Sequence, residues 1–191
     1  MESDRDFMEG KGGQPAAPTT PLNIVLTGFM GTGKSVVGRH VAQELHTPFV
    51  DVDLAITKKA GASIKDIFAT KGESAFRAFE SEVIADLSKQ DKTVISTGGG
   101  ALLDPKNLEN LQKNGILVCL TARVGTLLER LKEDLTRPLL AGENVEQKVE
   151  RLMKERQSIY NLCPIQVDTD DKTIAQVAKE IIEKVSPKWR A

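Results

Sequence analysis

Cysteine and histidine are scarce in this 191-residue chain, with two of each. Cys119 lies in an apolar run and Cys163 just before a proline, which makes neither a disulfide framework nor a metal-ligand spacing; both are expected to be reduced thiols. His40 and His46 fall in or beside one predicted helix, away from the inferred site, and are assigned no chemistry. Net charge is missing too. Lys and Arg number 26 against 27 Asp and Glu, so the chain has no electrostatic footprint for nucleic acid or an anionic membrane, and any basic site must be local. No apolar run approaches the ~20 residues of a membrane span. The N-terminus carries Glu2, Asp4, Asp6 and Glu9 and resembles neither a secretory signal nor an arginine-rich transit peptide. A cytoplasmic location is expected by elimination. The remaining composition, 40% hydrophobic and 28% charged, suits one soluble domain with a real core.

Residues 1–21 are polar and rich in glycine and proline, and read as a disordered tail. Directly after them comes the most informative stretch, Gly28-Phe29-Met30-Gly31-Thr32-Gly33-Lys34-Ser35, which fits the G-x-x-x-x-G-K-[ST] phosphate-loop pattern without a mismatch. Its glycines let successive N–H groups point at one anion, a following helix N-terminus favours the same charge, Lys34 supplies a cation to terminal phosphates and Ser35 a hydroxyl to magnesium. The flanks agree with the motif. Leu22–Thr27 reads as a buried strand, and Val37, Val41 and Leu45 recur as one face of a helix.

Pro48–Asp53 reads as a second strand running into a turn. Asp51 and Asp53, two apart, would point to the same side at its C-terminal end; the alternative is that they cap a helix or turn. A helical region follows from about Leu54 to Lys89, broken near Gly61 and Gly72. In it Phe76, Phe79, Val83 and Leu87 form a stripe, and Arg77 and Glu80 lie three apart on an adjacent face, a spacing that by itself favours a surface ion pair. Thr93–Thr97 reads as a third strand that runs straight into Gly98-Gly99-Gly100. A phosphate loop, an aspartate pair and a triple glycine at three consecutive strand ends point to one site on that sheet edge.

A helix from about Pro105, the strand Ile116–Leu120 and a helix from about Val124 lead to residues 133–146, which lose periodicity and contain Arg137-Pro138. A loop of this length is expected to be a lid. In the helix from about Val145, Arg156 falls on the apolar stripe with Val149 and Tyr160. It either snorkels to water or meets an anion. Pro164–Asp168 reads as a fifth strand, and Ile174–Val185 as an amphipathic helix, with the domain expected to span 22–186 and a short tail at 187–191. Five strands alternating with helices imply an α/β fold: a P-loop kinase-like three-layer sandwich with a five-stranded parallel sheet and a lid.

The GTPase motifs DxxG and NKxD are missing, and the third strand ends in Ser96 and glycines where motor and AAA-type ATPases have an acidic residue. A small-molecule kinase fits better, since phosphoryl transfer needs positioning and charge stabilisation. Asp53, Arg137 and Arg156 could supply a carboxylate at the acceptor, a lid arginine and an anion clamp. If Arg77 and Arg156 both faced the site, the acceptor would be a small hydroxy acid.

From Leu22 to about Val185 the chain resembles the shikimate kinase family. The resemblance rests on GFMGTGKS, DVD, Gly61–Ile64 running into Ile67-Phe68, GESAFRAFE, STGGG, TRPLLAG, the R-x-x-x-Y of Arg156 to Tyr160, and VDT. It implies ATP-dependent phosphorylation of the 3-hydroxyl of shikimate in aromatic amino-acid (chorismate) biosynthesis. The catalytic residues it implies are Asp53, Lys34 and Arg137. ATP would meet Gly31, Thr32, Gly33, Lys34, Ser35, Val36, Arg130, Arg137 and Lys172. Magnesium would be held by Ser35 and, through water, by Asp51 and Ser96. Shikimate would be bound by Asp53, Arg77, Glu80, Gly98, Gly99, Gly100, Arg137 and Arg156. The implied partners are ATP and shikimate, without nucleic acid or membrane, for a monomeric chain. Asp170-Asp171-Lys172 is more acidic than the family pattern leads one to expect. Alternatives are a kinase for another hydroxy acid such as gluconate, against which Leu54-Ala55-Ile56 after the aspartates speaks, and a non-catalytic domain, against which intact Lys34, Asp53 and Arg137 speak.

Overall fold

A computed structural model describes residues 22–132 and 144–189. The expected N-terminal tail, Arg137 and residues 133–143 of the expected lid lie outside them.

Five strands, β1 (Asn23–Gly28), β2 (Phe49–Asp51), β3 (Val94–Ser96), β4 (Gly115–Thr121) and β5 (Ile165–Asp168), form one sheet in the order β2-β3-β1-β4-β5. All four neighbouring pairs are parallel. Seven α-helices among the described residues cover it: α1 (Lys34–Glu44), α2 (Val52–Ala60), α3 (Ile64–Leu87), α4 (Pro105–Lys113), α5 (Val124–Leu131), α6 (Val145–Tyr160) and α7 (Ile174–Trp189). Strand side chains alternate between two cores, as the period of two requires. Ile24, Leu26, Val94, Ile116, Val118 and Leu120 meet Val37 and Val41 of α1 and Val177 and Ile181 of α7. Val25, Ile95, Leu117 and Cys119 meet Ile56, Phe76, Ile84, Leu127 and Val149 from the helices of the other face. The expected three-layer α/β architecture is therefore present. Because β1 lies between β3 and β4 while the chain leaves it in one direction and returns on either side, its C-terminal end is a switch point, where such sheets open a crevice.

Local chemistry fixes the ends of the elements. Gly61, in the left-handed conformation, terminates α2, and the Ser63 hydroxyl accepts from the Asp66 N–H to start α3. The break expected near Gly72 is a kink rather than an end: φ there is 79° and ψ 175°, and the helix resumes at once. Three expected boundaries move. The second strand stops at Asp51, so Asp53 stands in the first turn of α2, and the strand alternation that was to align the two aspartates does not apply. Residues 145 and 146 belong to α6 rather than to a lid, and α7 continues through Trp189, which packs on the core shared with α1 where a tail from 187 was expected. Cys119 and Cys163 are buried and form no disulfide. No helix among the described residues is long and apolar enough to cross a membrane.

Gly28 joins β1 to the phosphate loop at φ 127°, and a Cβ built there would lie 2.2 Å from the Leu120 carbonyl oxygen of β4. Neither atom is a flexible side chain. Gly28→Ala should destabilise the fold by about 2–4 kcal/mol, read as a lowered urea midpoint. Gly125 of α5, by contrast, has nothing within 4 Å of such a Cβ and no positive φ, so Gly125→Ala should stabilise by about 0.5–1 kcal/mol.

Candidate active site

The phosphate loop leaves β1 and enters α1 through Gly31 and Gly33, at φ 83° and 86°. Lys34 is 9% exposed, and its ammonium donates to the carbonyls of Gly28 (3.0 Å) and Phe29 (2.9 Å), folding the side chain back along the loop. The Thr32 hydroxyl donates to the Phe29 carbonyl at 2.8 Å and tightens the same turn. Beside the loop is a cavity of ≈ 280 Å³ lined by Gly31, Gly33, Lys34, Ser35, Val36, Asp51, Asp53, Thr97, Gly98, Gly99 and Arg130. Residues from the ends of β1, β2 and β3 thus share one space, as the three sequence features at those ends predict.

Asp51 does two things. One carboxylate oxygen accepts from the N–H groups of Asp53 and Leu54 and caps α2, while the other accepts from the Ser35 hydroxyl at 2.5 Å. Asp51 thus caps α2 and at the same time lines the cavity. Ser96 Oγ lies 3.5 Å from Ser35 Oγ, so three oxygens gather at the loop. Among the described residues no cluster of three His, Cys, Asp or Glu forms a dedicated cage. A hard cation that keeps several waters and binds largely through substrate phosphates needs only one or two protein oxygens, and this set fits magnesium.

The other half of the site is a ring of charge around the triple glycine. Glu80 on α3 is 1% exposed, with Oε2 accepting from Arg77 at 2.7 Å and Oε1 lacking any partner among the described residues. Arg77 also bonds Glu73 at 3.0 Å and lies against the Phe76 ring. Arg156 on α6 is 4% exposed, with its guanidinium 5.8 Å from the centre of the Phe29 ring. It does not snorkel to water, and Arg77–Glu80 is not the surface pair that spacing alone favoured. Gly98 and Gly100 make room for charged groups, while Gly99 lies at ordinary contact distance from a third. A Cβ at Gly98 would lie 2.8 Å from Glu80 Oε1 and 3.2 Å from Asp53 Oδ1; at Gly99, 3.5 Å from Arg156 Nη1; at Gly100, 2.9 Å from Arg77 Nη2. The run is a surface on which four ionisable side chains close.

Tyr160, one turn beyond Arg156, donates its hydroxyl to the Gly99 carbonyl at 2.6 Å. Burial, against the opposing effect of the Arg156 cation, pushes its phenol up to about 12, so it stays a donor. The inward stripe predicted its burial but not this bond, which pins α6 to the glycine run. Thr97, adjoining the glycines, was also not expected as a lining residue. Arg130 reaches the loop, with Nη1 3.3 Å from the Gly31 carbonyl. Lys172 is not among the lining residues; its ammonium is held by Glu180 of α7 at 2.8 Å.

A phosphate loop at the switch point of a parallel sheet, next to a carboxylate, the buried Arg156 and the half-buried Arg77, defines a P-loop kinase for a small acidic acceptor. The shikimate kinase family model matches residues 30–186. Shikimate kinases of Caldanaerobacter subterraneus subsp. tengcongensis and Geobacter metallireducens are 44% and 42% identical, over 84% and 87% of this chain and 94% and 93% of theirs. The structure of a shikimate kinase from Acinetobacter baumannii in complex with shikimate superposes with a TM-score of 0.84 at 40% identity, covering 89% of this chain and 96% of that one. The chain belongs to the shikimate kinase family. A gluconokinase from Sinorhizobium meliloti, 16% identical with a TM-score of 0.60 over 90% of this chain and 95% of its own, shares the fold alone.

Burial is the largest influence on Glu80 and holds its carboxyl above the ordinary range, although Arg77 pulls the other way. With the folded value above the unfolded one (~4.3), the folded state holds the proton more tightly, so this group lowers stability as pH rises from the ordinary glutamate range to the elevated value. Glu80→Gln should lose that slope in urea midpoints measured across this window. An unchanged slope would remove Glu80 as its source.

Proposed function

We propose that the chain transfers the γ-phosphoryl group of ATP to the 3-hydroxyl of shikimate, giving shikimate 3-phosphate, and that the residues around the triple glycine choose the acceptor. One observation carries the reading: Arg77, Arg156, Glu80 and Asp53 converge on Gly98–Gly100, in a chain 40% identical to a shikimate kinase whose structure is a complex with shikimate. Two guanidiniums on one side suit a planar carboxylate, which a fork of fixed N–H donors recognises better than a point charge would. The unpartnered Oε1 of Glu80, buried at the same surface, suits a hydroxyl donor. A cyclic hydroxy acid offers both.

Asp53, at the start of α2, holds the acceptor hydroxyl in line with the phosphoryl group and receives its proton as the new P–O bond forms. Lys34 and the loop N–H groups hold the β- and γ-phosphates, where negative charge develops on the leaving oxygen. Ser35, with Asp51 and Ser96 through water, would hold magnesium. When bound, the ion supplies positive charge to the phosphate oxygens. Arg137 is proposed to come over the transferring group from the lid, and Arg130 to flank the nucleotide base. The enzyme is proposed to act as a cytoplasmic monomer, with ATP and shikimate as its partners.

ADP release followed by a coupled assay should require both magnesium and shikimate. Brisk turnover with gluconate and none with shikimate would overturn the assignment. Lys34→Ala should lower kcat by at least about 100-fold with an unchanged circular dichroism spectrum. Arg77→Ala should chiefly raise the KM for shikimate, by roughly tenfold or more. An unchanged KM would take Arg77 out of the carboxylate clamp.

A further inference from the structure

Asp170, in the β5–α7 connection, stands outside every role assigned above, yet it is 8% exposed. Its Oδ2 accepts from the backbone N–H of Arg123 at 2.8 Å and from Arg123 Nε at 2.9 Å. Arg123 is the N-cap of α5, a helix of eight residues whose own N-cap side chain makes no capping bond. A carboxylate delivered from another segment therefore does the capping, at the end of the helix where the backbone dipole favours negative charge. Burial opposes the charge on Asp170, but the Arg123 N–H, the Thr126 hydroxyl and the Arg123 guanidinium prevail and hold the carboxyl below its ordinary range.

The residue just before it closes a circuit. Thr169 is clipped to the end of β4, its N–H and hydroxyl both donating to the Thr121 carbonyl, at 2.9 and 3.0 Å. Arg130, in the last turn of α5, donates from Nη1 to the Thr169 hydroxyl at 3.0 Å and from Nη2 to the Thr169 carbonyl at 3.0 Å, and Nη1 also reaches Gly31. On its buried side α5 sets Leu127 and Leu131 directly beneath Gly31. Asp170 and Thr169, adjacent in sequence, thus hold the two ends of a short helix that carries both the floor of the phosphate loop and an arginine at its rim.

We propose that Asp170 is a positioning residue for nucleotide affinity, acting through α5 on Arg130 and Gly31. The inference rests on the reading that the nucleotide lies against Arg130 and the phosphate loop. It also gives a role to the acidic start of Asp170-Asp171-Lys172, the segment that departs from the family pattern: its first carboxylate faces inward to the protein, while Asp171 pairs with the exposed Arg123 guanidinium at 2.7 Å.

The test is calorimetric binding of ADP, and separately of shikimate, to Asp170→Ala, Asp170→Asn, Arg130→Ala and the Asp170→Ala/Arg130→Ala double variant. Asp170→Ala should weaken ADP by about tenfold, and Asp170→Asn, which keeps an acceptor oxygen for the Arg123 N–H, by less. Shikimate affinity should stay within roughly twofold, and Asp170→Ala should add less than its single-variant loss once Arg130 is gone, the remainder passing through Gly31. Unchanged ADP affinity in Asp170→Ala with a loss in Arg130→Ala overturns the proposal alone. Unchanged affinity in Arg130→Ala overturns the nucleotide reading at that residue together with the proposal. Full additivity in the double variant, an equal loss for shikimate, or failure of both Asp170 variants to fold would each make Asp170 a residue of general stability and overturn its positioning role.

Discussion

Two arginines and a glutamate cannot be withdrawn from water cheaply, and the acceptor side of this protein is arranged around that constraint. Isolated, Arg156 or Glu80 at its observed burial would cost several kcal/mol. The described residues reduce that cost in three ways. Arg77 bridges Glu80 to the exposed Glu73, the aromatic rings of Phe29 and Phe76 lie against the two guanidiniums, and the glycine run lets every charged group approach backbone without an intervening Cβ. The compensation is incomplete, since Glu80 keeps one oxygen unpartnered. Unmet bonding capacity of this kind is what a polyhydroxylated acid can satisfy, which is the basis of the acceptor role proposed for these residues.

That arrangement makes the neighbouring elements interdependent. α3 must present Glu80 inward and Arg77 beside it, and the half of the helix after its kink at Gly72 carries both and shares a core with Ile95 and Leu102. α6 must bring in Arg156, and the Tyr160 hydroxyl fixes its last turn on Gly99. Asp53 arrives from α2 only because Asp51 stops the second strand and caps the helix in a single residue. None of these placements is local to the phosphate loop, yet all converge beside it.

Periodicity and glycine chemistry made the fold and the edge of the site readable in the sequence. Short apolar runs marked the strands, four-residue recurrences marked the helices, and the coincidence of three odd strand ends pointed to one crevice. The acceptor half was not readable from spacing. An i,i+3 arginine–glutamate pair has the same pattern on a wet surface as in a buried pocket, and what distinguishes them here is three glycines about twenty residues further on, a contact between distant segments that no local period encodes. Resemblance supplied that half, and the geometry supplies its cause. Tyr160 shows the same limit, since an inward stripe predicts that a ring is buried but not which carbonyl its hydroxyl will meet.

The two halves of the site also differ in how they are held. Around the acceptor, side-chain charge is balanced by side-chain charge, which leaves bonding capacity open. On the nucleotide side most bonds close on backbone: Lys34 on two loop carbonyls, Thr32 on Phe29, Arg130 on the carbonyls of Thr169 and Gly31, and Thr169 on Thr121. A phosphate chain is common to many reactions and is recognised by N–H groups in fixed positions, so rigidity there serves every kinase of this architecture equally. Discrimination needs groups that are satisfied by one ligand and left wanting by others, because leaving a buried donor or acceptor unpaired costs more than a missing apolar contact. The glycine surface with its four charged neighbours is built in that second way. It follows that substitutions there should alter which acid is phosphorylated, while substitutions around the loop should alter how well any acid is.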